Sequence, residues 1–87
     1  MFIFYSDAGH GWLEVSSSTL VQVGMVPSQF SKYSYADRKG AVPVYYLEED
    51  CDASKFLAVW EAKTGRKAEF HDAPYQVTSF IRSLDRI

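Results

Sequence analysis

The stretch Ser6-Asp7-Ala8-Gly9-His10-Gly11-Trp12 places a carboxylate three residues before an imidazole, with a glycine on either side of the histidine. An Asp–His pair at that spacing could move a proton, and the glycines would let a ligand approach the backbone closely. The same residues also make a β-turn in which the glycines supply positive φ and Asp7 bonds to nearby backbone. No second histidine stands nearby, and no Ser or Cys nucleophile stands at a diagnostic spacing, so the turn is the favoured reading. The glycines do not make a phosphate loop: Gly-Lys-Ser/Thr and the dinucleotide Gly-x-Gly-x-x-Gly pattern are both missing.

A second group is Glu48-Glu49-Asp50-Cys51-Asp52. Such carboxylates could take a hard cation, although the alternating ligands, central glycine and terminal glutamate of an EF-hand loop are not there. Acids just before a helix also complement its dipole and cap its free N–H groups, with Asp52 or Asp50 as the capping residue. A third reading makes the cluster an electrostatic patch for a basic partner surface. Four neighbouring acids disfavour the Cys51 thiolate, so a catalytic cysteine is not expected. His71 beside Asp72 reads as an exposed strand residue. Tyr33, Tyr35, Tyr45 and Tyr46 could stack on bases. Few cations accompany them, which favours core packing and a protein-facing aromatic patch.

These residues need elements to position them. Met1–Tyr5 is aromatic and β-branched throughout, a strand expected to be buried on both faces. Trp12–Ser16 alternates, with Leu13 and Val15 on one face and Trp12 and Glu14 on the other. It reads as the second arm of a hairpin turning at Gly9 and Gly11. Ser16-Ser17-Ser18 offers helix caps and Gly24 a stop, predicting a short helix over about 17–24 against its β-branched content. Val26 before Pro27 should be extended, and Pro27–Phe30 a turn or a single helical turn. Tyr33–Tyr35 and Ala41–Leu47 read as strands about a polar turn, with Pro43 forcing an edge or a bulge. Ala53, Phe56, Leu57, Trp60 and Thr64 recur at helical spacing, which predicts the main helix over about 53–64, ended by Gly65. Lys67–His71 alternates as a half-buried strand, and 75–87 reads either as a strand or as an irregular docked segment.

At 87 residues the chain holds one small α+β domain, a mostly antiparallel sheet with that main helix. Hydrophobic residues make up 47% and charged residues 23%, which excludes disorder of the whole chain. A net charge of −2 argues against a nucleic-acid platform, and one cysteine excludes an internal disulfide framework. No apolar run approaches a membrane span and no secretory or lipidation signal is recognised, so a soluble cytoplasmic protein is expected. The aromatic share, 16%, is high. Phe2, Phe4, Phe56, Trp60 and Phe70 are assigned to the core. Trp12, Tyr33, Tyr35, Tyr45 and Tyr46 are assigned to a contact surface.

The run from Phe4 to Val15, with Ser6-Asp7-Ala8-Gly9-His10-Gly11-Trp12 at its centre, resembles the opening of a group of small proteins from tailed bacteriophages and prophages. Tyr33-Ser34-Tyr35, Tyr46-Leu47-Glu48-Glu49-Asp50-Cys51-Asp52 and the closing Ile81-Arg82-Ser83 match the later motifs of that group in order. The likeness spans nearly the whole chain. Ala8 stands where the group has proline, and Val23–Val26 matches the end of its short helix only approximately. The resemblance implies a phage accessory product in a bacterial host, with no chemistry attached. By analogy such proteins act stoichiometrically on host machinery, and inhibition of a defence system of the anti-CRISPR kind is one form this takes.

The expected function is therefore non-enzymatic binding of a host or phage protein with a basic surface, without cofactor, metal, membrane or direct nucleic-acid contact. Its surface would combine His10, Trp12, Tyr33 and Tyr35 with Glu48, Glu49, Asp50 and Asp52. If the partner grips nucleic acid, these acids would compete with phosphates locally. The alternative is a small-ligand or metal domain in which Asp7, His10 and Glu48–Asp52 converge on one pocket. A minor structural virion component is the third class.

Overall fold

In the computed structural model, which describes Met1–Ile87, the hairpin forms where the alternation places it. Strand β1 (Phe2–Ser6) runs antiparallel to β2 (Gly11–Ser16), with Phe4 opposite Leu13 and Tyr5 opposite Trp12. β1 is half-buried along its length and not buried on both faces. Helix α1 (Ser17–Gln22) follows at once. Ser16 caps it by accepting the Thr19 N–H at 3.3 Å. It stops early, as its β-branched residues favour, and Gly24 turns the chain at φ 75°. Val26 is extended and Pro27–Gln29 forms one 3₁₀ turn.

Strand β3 (Tyr35–Asp37) is as long as the predicted Tyr33–Tyr35 strand but shifted two residues along the chain. Tyr33 and Ser34 lie in the turn before it, because the Ser34 hydroxyl is drawn inward to Asp52. β4 (Val44–Glu48) begins after Pro43, so the proline lies outside the ladder instead of at an edge or bulge within it. Its five residues hold the centre of the sheet between β2 and β3.

Helix α2 (Asp52–Thr64) starts one residue before the predicted span and ends on Gly65, whose φ of 68° is the left-handed region. It carries the chain from β4 to the far edge, where β5 (Phe70–Asp72) pairs parallel to β1. All three β5 residues are exposed, so the alternation of 67–71 does not yield a half-buried strand; Ala68 alone of that run is buried. From there the chain returns across the opposite face. Ser79 caps a 3₁₀ turn (Phe80–Ser83), and a last strand, β6 (Asp85–Arg86), pairs with β3. The finished sheet has the order β5-β1-β2-β4-β3-β6, with four antiparallel pairings and one parallel, between β1 and β5.

Both faces are therefore covered. Leu13, Val15, Leu20, Leu47 and Phe56 pack under the helices, with Phe2 edge-on to Phe56 at 5.5 Å and to Trp60 at 5.1 Å. On the other face Trp12, Tyr46 and Ile81 form a second core beneath the C-terminal segment. Each large apolar side chain buried this way contributes about 1.5–3 kcal/mol. The aromatic surplus is spent here: Tyr45 belongs to the first core, and Trp12 and Tyr46 to the second. None of the three forms a contact surface. Phe70, assigned to the core, is half exposed.

Candidate functional site

Asp7 was half of the possible acid–base pair, and the fold uses it otherwise. Its side chain is buried and accepts from Arg82 twice, Nε to Oδ2 at 2.6 Å and Nη2 to Oδ1 at 3.0 Å. Backbone N–H groups of Gly9, His10 and Ser79 donate to the same carboxylate at 2.9, 3.0 and 3.0 Å. The Arg82 bond, aided by those backbone donors, holds the Asp7 carboxyl far below the usual carboxylate range. A carboxylate so saturated does not accept a proton at neutral pH. The hairpin glycines do not supply positive φ either. Gly11 is needed for space, since a Cβ there would lie 2.5 Å from the Phe4 ring and 2.9 Å from Glu49 Oε2.

The acidic segment splits. Asp52 is buried, and its Oδ2 accepts from Ser31 N (2.8 Å), Ser31 Oγ (2.7 Å) and the Ser34 hydroxyl. Ser34 Oγ also accepts the Glu48 N–H at 2.9 Å, so this network ties the β3 approach to the start of α2. Glu48 is buried too, and its Oε2 accepts the Asp50 and Cys51 N–H groups, each at 3.1 Å. Neither Asp52 nor Asp50 caps α2; Cys51 holds that position without a side-chain bond. Of its acids, only Glu49 and Asp50 remain exposed. Glu48, Asp52 and the buried Trp12 are thus structural residues and not part of an exposed contact surface.

Sheet register nevertheless brings several of the candidates, buried ones included, to one place. Trp12 on β2 is paired with Glu48 on β4, and Tyr35 on β3 with Arg86 on β6. His10, Tyr33 and Arg82 complete a cleft of about 230 Å³ on the second face, at one end of these strands. The Arg82 guanidinium lies 5.3 Å over the Trp12 ring and that of Arg86 5.0 Å over Tyr35. Arg86 Nη1 also donates to the Lys32 carbonyl at 2.6 Å. The two arginines are what the sequence reading missed. The signal was there: the first 31 residues contain no Lys or Arg, so a buried Asp7 needs a cation from far along the chain.

On the first face an open groove of about 440 Å³ lies between the first turns of α2 and the β1–β5 edge. Phe4, Leu13, Leu57 and Phe70 supply its apolar walls, with Ala53 and Ser54 at the helix. Its charged residues are Glu49 and Asp72, both acidic. Glu48 and Glu49, adjacent in sequence, thus face opposite sides of the sheet. Asp7, His10 and the acidic segment do not converge on one pocket, and no three His, Cys, Asp or Glu side chains are placed to hold a metal ion. No helix is long and apolar enough to cross a membrane. Comparison with protein families, with curated proteins and with solved structures finds no match.

Proposed function

We propose that the protein acts by stoichiometric, non-enzymatic binding of another protein, through the groove between α2 and the β1–β5 edge. The observation that carries this reading is the chemistry of that groove: apolar walls with an exposed Phe70, and two carboxylates without a base among them. Such a surface fits a partner segment that presents an apolar side chain beside lysine or arginine. β5 adds to it an edge strand whose outer side carries no further strand. Asp50, exposed in the adjoining turn, extends the negative field that would steer a basic partner.

The carboxylates that could have done chemistry support binding over catalysis, because Asp7, Glu48 and Asp52 are engaged in holding the fold. The sequence resemblance to tailed-phage proteins supports a bacterial setting, with a host or phage protein as the partner. Blockade of a defence system is the specific form of that reading.

The test is affinity capture from bacterial lysate with the wild type, Glu49→Lys/Asp72→Lys and Lys63→Gln. One partner retained by the wild type and by Lys63→Gln, and lost by the charge-reversed pair, is the expected result. Equal capture by all three variants would remove the groove from the account. Co-purification with phage particles in place of a soluble partner would instead favour a virion component.

A further inference from the structure

We propose that the cleft on the second face, walled by Trp12, Tyr35, Arg82 and Arg86, is a binding site for an oxyanion, a carboxylate or phosphate group. Hydrogen-bond donors outnumber acceptors there. A guanidinium has five N–H donors. Arg82 spends one Nε–H and one Nη2–H on Asp7, which leaves three. Arg86 spends one on the Lys32 carbonyl, which leaves four. The indole N–H of Trp12 is buried and has no acceptor in the protein. Against these stands one lining carboxylate, Glu48, whose Oε2 already takes two backbone N–H groups. The cleft has donors in surplus, so its complement is a group rich in acceptors.

Rigidity agrees with this. The charge of Arg82 is matched by Asp7 and that of Arg86 by the lining Glu48, so the unused N–H donors, and not a net charge, are what an anion would meet in the cleft. Both guanidinium groups already lie over aromatic rings and are tethered by hydrogen bonds, so less side-chain freedom is lost when an anion docks. At about 230 Å³ the cleft is smaller than sites that enclose a whole drug-sized ligand, roughly 300–1,000 Å³. It takes the anionic end of a molecule. The site is independent of the groove, which lies on the opposite face.

The test is a nuclear magnetic resonance titration of the isotopically labelled full chain with sodium phosphate, and separately with sodium acetate, against sodium chloride at matched ionic strength. The Trp12 indole N–H and the Arg86 Nε–H should shift saturably with at least one oxyanion, while the Trp60 indole on the other face stays still. The anion that saturates at the lower concentration identifies the source as phosphate or carboxylate. Arg86→Gln should weaken binding about tenfold, the loss of one charge-assisted hydrogen bond. Arg86→Lys should recover part of that loss. Shifts that chloride reproduces, that rise without saturating, or that Arg86→Gln leaves unchanged would overturn the assignment.

Discussion

Asp7 accepts five hydrogen bonds from donors that meet only in the folded chain: two from Arg82 and three from backbone N–H groups. Its folded value lies far below the ordinary 3.8, so its contribution to stability is complete above that value. As pH falls below the ordinary carboxyl range towards the depressed folded value, that contribution is lost. Asp7→Asn should therefore unfold at lower urea than the wild type at neutral pH, and the difference should narrow in acid, at about pH 2.5. Gly11 is under a different constraint. Adding a methyl group at Gly11→Ala forces the Phe4 ring and Glu49 apart, and should cost about 1–3 kcal/mol in urea denaturation. At this scale the residue types were legible in the sequence and their roles were not. Asp7 and Asp52 look available for chemistry until Arg82, Ser31 and Ser34 arrive from elsewhere in the chain.

The elements were legible where local signals are strong. Alternation gave the β1–β2 hairpin, helical spacing gave α2, and Ser16 and Gly24 bracketed α1. What local pattern could not reveal is that a second layer of side chains needs a second cover. Tyr46 and Trp12 alternate outward from the helix face, which in a one-sided sheet would leave them in solvent. The C-terminal segment covers them, and its role depends on Ile81, which is fully buried in a run with no periodicity to announce it. Ile81→Ala should cost about 2–5 kcal/mol by thermal or urea unfolding, and should raise the exposure of Trp12 to a fluorescence quencher. A loss below the lower bound, with Trp12 still shielded, would show that the segment is not a structural layer.

Across the whole molecule, the sheet presents an apolar, acidic groove on one face and a donor-rich, aromatic cleft on the other. The sequence reading combined their residues into one surface because Glu48 and Glu49 are neighbours in the chain. A strand sends neighbours to opposite sides, and only the register of β4 against β2 decides which side each takes. The groove could not be seen in sequence for a related reason: β5 joins β1 in parallel only after α2 has crossed the sheet. The most direct test of the binding account is amide hydrogen exchange on the chain with and without its captured partner. Protection confined to Phe70–Asp72 and the first turns of α2 is the result this account predicts. Unchanged exchange there, with protection at Tyr33–Tyr35 and Arg86 instead, would contradict it.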